Sequence, residues 1–235
     1  MTGDRTLVVN ADDFGRSPGI SRGILRAHLA GIVTSTSMMV RYPNAEPAAA
    51  AAKQQRALGV GLHLDLGEWE YCDDEWHCRY EVVPTDDATA VQRELAAQLS
   101  RFRELLGREP THIDSHQHVH RSEPVRSAVA RAGSELGILV RHLSPAHYCG
   151  AFYGQGRRGT PLFEGITPVA LAGLIGELPV GVTELACHPA EAIDIETDYG
   201  AERLVELRAL CDPRVRAAVS AAGVRLCNFG AVALV

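Results

Sequence analysis

No stretch of this 235-residue chain approaches the ~18 consecutive apolar residues of a membrane-crossing helix. The opening segment Met1–Asn10 holds an apolar run too short for the hydrophobic region of a signal peptide, so a cytoplasmic protein is expected. Basic residues are in deficit: 23 Lys and Arg against 29 Asp and Glu leave a formal charge of −6. That excludes the basic stripe of a nucleic-acid binder and leaves a small substrate open. The six cysteines (Cys72, Cys78, Cys149, Cys187, Cys211, Cys227) form no CxxC pair and are expected as free thiols. Cys72, His77 and Cys78 lack a second ligand pair of zinc spacing, which disfavours a structural metal there. The glycine-rich segment Gly150–Gly159 lacks the Gly-Lys-Ser/Thr ending of a phosphate loop. Linkers, repeats and composition shifts are also missing, so residues 1–235 are expected to form a single domain.

What is present is an alternation. Short β-branched runs occur at Thr6–Asn10, Ser35–Val40, Gly59–Asp65, Thr111–Ser115, Leu139–His142, Thr183–Cys187 and Val224–Asn228. Helical patterns lie between most of them. Leu95, Leu99, Phe102, Leu105 and Leu106 recur near a 3.6-residue period. Ser17-Pro18, Thr167-Pro168 and Asp212-Pro213 each pair a capping side chain with a proline suited to the first helical position. About seven strands alternating with helices predict an α/β fold with a largely parallel sheet, open or closed into a barrel. Two connections resist assignment, Leu66–Asp86 and Ser144–Ile166.

Four clusters carry chemistry. Asn10-Ala11-Asp12-Asp13-Phe14-Gly15 follows the first strand, where α/β folds place their sites. The repulsion between two adjacent carboxylates is relieved if one binds a cation and the other remains a base. Taken alone, the segment also reads as an ordinary turn. His63 and Asp65 share strand parity in Gly59–Asp65, although a lone histidine there is more often a core residue. His112-Ile113-Asp114-Ser115-His116-Gln117-His118-Val119-His120 places four histidines and Asp114 on even positions, facing one way if the chain stays extended. They cannot share one ion: at about 3.3 Å per residue, positions four apart are separated by ~13 Å. One or two can be ligands; the others orient ligands or touch substrate. Glu184-Leu185-Ala186-Cys187-His188-Pro189 ends a strand in a histidine fixed by proline. Together these predict one divalent metal held by a carboxylate and two imidazoles, with a spare carboxylate and a spare histidine. Such a three-ligand set leaves positions open for water and substrate and suits hydrolysis.

The strings Asn10–Gly15, Ile32–Ser37, Gly61-Leu62-His63, Thr111–His120 and Glu184–Pro189, in that order, resemble the YdjC-like carbohydrate deacetylases. The resemblance implies a distorted (β/α) barrel related to the polysaccharide deacetylases. It implies removal of N-acetyl groups from amino sugars such as chito-oligosaccharides. By position it implies Asp13, His63 and His116 as metal ligands, Asp12 as general base and His188 as the acid that protonates the leaving amine. Arg141 would orient the base, and His118 competes for the ligand role through the His-x-His pair. Asp114 and His120 would support the ligands or meet substrate. Two departures stand out: Ala190 follows His188-Pro189 where the family has glycine, and Leu66–Asp86 is particular to this chain. The metal is expected to be Mg²⁺ or Zn²⁺.

Four of the thirteen aromatics (Trp69, Tyr71, Trp76, Tyr80) fall in that connection and are expected to wall the sugar site, a homodimer contact being the competing use. Phe152, Tyr153, Arg157 and Arg158 would make the glycine-rich segment a lid. The expected partner is an N-acetylated sugar, with neither nucleic acid nor membrane involved. Two rivals stand beside this reading: a metal-dependent hydrolase of a phosphoester or non-sugar amide, and a non-catalytic sugar-binding protein.

Overall fold

The computed structural model describes residues 4–72, 74–156 and 159–232; Arg157 and Arg158 of the expected lid lie outside the described residues. In chain order the elements are β1 (Arg5–Phe14), α1 (Pro18–Ala30), β2 (Ser35–Met38), α2 (Ala45–Lys53), β3 (Gly59–Leu64), β4 (Gly67–Cys72) and β5 (Glu75–Glu81). There follow α3 (Ala88–Leu106), β6 (His112–Ser115), α4 (Val125–Leu136), β7 (Leu139–Val140), β8 (His147–Cys149) and α5 (Pro168–Gly176). The chain closes with β9 (Gly181–Cys187), α6 (Ala201–Leu210), α7 (Pro213–Ala221) and β10 (Val224–Leu226).

The three expected caps form. Ser17 Oγ accepts from the Ile20 amide at 3.2 Å, Thr167 Oγ1 from Ala170 at 3.2 Å, and Asp212 Oδ1 from Arg214 at 2.8 Å. Each satisfies an amide that the first turn leaves without a partner. The 3.6-period stripe of α3 is buried along its length, and α3 stops at Gly107, whose left-handed φ of 70° costs least in a residue without a Cβ.

The main sheet has the order β7-β6-β3-β2-β1-β9-β8, and every pairing in it is parallel. β10 pairs with residues 5–7 of β1, which also pair with β9 on their other side, so β10 continues the line of β2. The sheet curls until side chains from its two edges touch, although among the described residues β7 and β8 share no ladder. The guanidinium of Arg141, just after β7, lies 5.3 Å from the Tyr148 ring on β8, and His142 packs on the same ring at 4.3 Å. This is the distorted barrel that the family resemblance implies, and it decides between the open and closed sheets that the strand pattern leaves as alternatives. All strands running one way, their C-terminal ends gather at one mouth.

Three expectations change. Leu66–Asp86 is an antiparallel hairpin, β4 against β5, standing apart from the main sheet. Strand β7 ends at Val140 because His142 takes a left-handed φ of 63°, so Arg141 and His142 lie beyond it. The histidine run leaves the extended form after Ser115: Gln117 (φ 50°) and His118 (φ 55°) are both left-handed, and the four histidines do not share a face. His112 is a core residue. It stacks on Phe229 at 4.0 Å and lies over Gly61, where a Cβ would come 2.4 Å from the ring.

Candidate active site

A cavity of about 670 Å³ opens at the mouth of the barrel. In a regular strand Asp12 and Asp13 would face opposite sides. Here the register of β1 against β2 shifts between Ala11 and Phe14, and Asp13 sits at φ 71°, a conformation that aspartate tolerates better than most residues. Both carboxylates therefore line the cavity.

Asp13 faces two histidines. Its Oδ1 lies 3.4 Å from His63 Nε2 at the end of β3 and 3.4 Å from His116 Nδ1 after β6. The three donor atoms all lie within 4.8 Å of one another. His63 is fixed from behind by Asp114, whose Oδ1 takes its Nδ1–H at 2.7 Å, as expected of an imidazole that presents its other nitrogen to an ion. Burial alone would lower the His63 pKa, but the charge and hydrogen bond of Asp114, with Asp13 and Asp12 behind, lift it to about 10. The carboxylates thus call for a positive charge at this point, which a proton or a divalent ion can supply. A carboxylate and two imidazoles facing a polar cavity fit such an ion. A second trio, Asp12, His63 and Asp114, is as compact. Both of its carboxylates are already engaged by one cation: Arg141 Nη2 reaches Asp12 Oδ1 and Asp114 Oδ2 at 2.8 Å.

Arg141 organises the other side. Its side chain is fully buried and binds Asp12 through both oxygens, at 2.7 and 2.8 Å, while its Nε donates to Glu184 Oε1 at 2.7 Å. Asn10 Nδ2 and Ser37 Oγ also donate to Asp12 Oδ1, at 2.9 and 3.2 Å. Burial would raise the Asp12 pKa; the Arg141 charge and its hydrogen bonds outweigh that and hold the carboxyl well below the usual range. Glu184 is left with part of one cation, and burial pushes it up to about 7.

His188 follows β9 and stands across the cavity, its Nε2 3.8 Å from Asp12 Oδ2. Its Nδ1 has no hydrogen-bond partner, and burial lowers its pKa to about 4, so the ring is neutral at pH 7. Tyr153 and Tyr199, stacked at 4.6 Å, both meet it edge-on. His118 lines the cavity beside Tyr148, whose hydroxyl lies 3.2 Å from its Nε2. His118 is not part of the compact trio. His120 is buried behind the cavity between Ser115 Oγ and the Arg141 carbonyl. Trp69, Tyr71 and Trp76 of the hairpin line the cavity; Tyr80 does not, because its hydroxyl is turned to Asp65 (3.0 Å) and Tyr42 (2.8 Å). Phe152 is buried and Tyr153 packs on Tyr199, so this part of the glycine-rich segment is wall.

Sequence reasoning overlooked Arg203, Glu206 and Tyr199. Arg203 binds Asp13 Oδ2, and Glu206 accepts from the His188 amide and the Tyr199 hydroxyl. The available signal was Arg203 and Glu206 at i, i+3 in α6, a charged pair that normally marks a solvated face. Glu68 and Arg16, an ion pair beside His116, were also missed.

The family model described as YdjC-like protein matches residues 6–221. The carbohydrate deacetylase of Geobacillus stearothermophilus is 34% identical, over 96% of this chain and 97% of that protein. A chitooligosaccharide deacetylase of Salmonella paratyphi B is 31% identical, over 96% of this chain and 98% of its own length. Among solved structures, a putative cellobiose-phosphate cleavage protein from Enterococcus faecalis shares the fold, with a TM-score of 0.75 at 23% identity, covering 96% of this chain and 98% of that one. With the barrel, the paired aspartates and the histidine loop in the order the sequence resemblance requires, the chain belongs to the YdjC-like family.

Proposed function

We propose that this chain is a metal-dependent hydrolase that removes the N-acetyl group from an amino sugar, a chito-oligosaccharide or a related glycan, and releases acetate. Relatives named carbohydrate and chitooligosaccharide deacetylase support the substrate class. The observation that carries the chemistry is the pair of proton carriers, Asp12 and His188, flanking the Asp13–His63–His116 trio across one cavity.

Asp13, His63 and His116 would hold the ion, Mg²⁺ or Zn²⁺. Once bound, such an ion supplies Lewis-acid polarisation of the acetyl carbonyl and lowers the pKa of water. Asp12, ionised and held in place by Arg141, takes the proton of the attacking water. Its low proton affinity makes it a weak acceptor but a ready donor to what comes next. His188 is neutral in the free protein, so the proton it gives the leaving amine has to arrive during turnover. Asp12, 3.8 Å from its Nε2, is the nearest source. The indole and phenol faces of Trp69, Tyr71 and Trp76 offer stacking surfaces to the apolar face of a pyranose ring.

The test is acetate release by metal-stripped protein, with each divalent ion restored in turn, across N-acetylated mono- and oligosaccharides. Release that depends on the ion supports the reading. Silence across the panel with one ion bound per chain overturns it.

A further inference from the structure

The hairpin is fastened to the metal-ligand loop by one side chain. Gln117 Oε1 accepts from the Trp69 amide at 2.9 Å, and Gln117 Nε2 donates to the Trp69 carbonyl at 2.6 Å. The side-chain amide thus acts as a short stretch of neighbouring strand for β4, which among the described residues has only β5 as a ladder partner. Gln117 directly follows His116, and its left-handed φ of 50° turns it toward the hairpin. A second contact runs the same way. Glu68, adjacent to Trp69, is held by Arg16 and lies 3.6 Å from His116 Nε2, the nitrogen turned away from Asp13. Residues 68–69 and 116–117 therefore meet as one joint between the sugar wall and the ion site.

We propose that Gln117 is a positioning residue that couples the aromatic hairpin to His116, so that filling the metal site sets the hairpin for sugar. The inference rests on the proposed function, because it takes the trio as the ion site and the hairpin as the sugar wall. His116 drawn toward an ion carries Gln117 with it, and Gln117 carries the backbone of Trp69. By linkage the effect is reciprocal: sugar on the hairpin tightens the ion by the factor by which the ion tightens sugar.

Both tryptophans of the chain, Trp69 and Trp76, lie in this hairpin, so their emission reports its state without a label. Zn²⁺, which is spectroscopically silent, is titrated into the metal-stripped full chain while bound zinc is counted by equilibrium dialysis. In the wild type, emission shifts in step with zinc occupancy. Gln117→Ala still binds one zinc, its emission does not respond, and its KM for an N-acetylated chito-oligosaccharide rises about tenfold with kcat little changed. Gln117→Glu retains the acceptor and loses the donor, and it gives a partial response if Gln117→Ala does not fold. Wild type that binds zinc with unchanged emission overturns the coupling, as does Gln117→Ala responding like the wild type. Both results leave the hydrolase reading intact. A chain that binds no zinc, Mg²⁺ or other divalent ion at all removes the ion site itself, and both readings fall together.

Discussion

At the floor of the cavity, the Arg141 side chain has no solvent exposure and binds three carboxylates; at the rim, Trp76 is 69% exposed and sits on a hairpin that, among the described residues, ladders only with itself. Floor residues come from strand ends that the main sheet fixes in parallel register. Rim residues come from an excursion between β3 and α3, tied down by Gln117, Glu68 and a few side-chain contacts. Changing the floor therefore changes chemistry and folding together, while changing the rim alters what is held without disturbing the barrel.

Four substitutions test that division. The largest effect is expected from Asp12→Asn, which removes the proposed base but leaves the Asp13–His63–His116 trio intact. Acetate release should fall by about 10²–10⁴-fold with one ion still bound per chain, read by turnover and metal analysis. Retained activity would remove Asp12 from the base role. Next is Arg141→Met, which strands Asp12, Asp114 and Glu184 in the interior. Chemical denaturation should show a loss of about 3–5 kcal/mol, the usual result of removing one partner from a buried ion pair. An unchanged midpoint would mean that the floor is not held by its arginine. Trp76→Ala takes the opposite course. KM should rise about tenfold, with thermal stability within ~0.5 kcal/mol of the parent because the side chain is exposed. A large loss of stability would show that the rim belongs to the core after all.

The smallest effect concerns pH. Glu206 is fully buried, and burial pushes it up to about 8 from 4.5. Between those values the folded chain keeps a proton that the unfolded chain releases. Its stabilising contribution is therefore complete below about pH 4.5 and is lost as pH rises through about 8. Glu206→Gln should flatten the decline in stability between pH 5 and 8 by about 1 kcal/mol or more. An identical profile would show that Glu206 is ionised throughout that range.

The floor was more legible in the sequence than the rim. Asp12, Asp13, His63, His116 and His188 each lie near or just past the C-terminal end of a strand-like run, and parallel strands collect such ends at one mouth. The three Ser/Thr/Asp-Pro caps marked α1, α5 and α7 for the same local reason. Partners far along the chain were not legible. Arg203 reaches Asp13 across 190 residues, and nothing in its surroundings distinguishes it from a solvated arginine of a helix. The histidine run misled because parity holds only while the backbone stays extended, and it turns at Gln117. The hairpin was obscured because its exposed face makes an aromatic, acidic stretch look like a loop.

The backbone of the site has a consequence for anyone engineering this protein. Among the described residues, five other than glycine have positive φ, and Asp13, Gln117, His118 and His142 are four of them, gathered at the barrel mouth. Each holds a conformation that costs of order 1 kcal/mol for a residue with a Cβ. A screen that rewards thermal tolerance alone would favour glycine at His118 and His142, though not at Asp13, whose carboxylate is the partner of the buried Arg203. The winners would be sturdier barrels that have lost side chains from the cavity mouth, so selection for robustness has to be run with the reaction as a second filter.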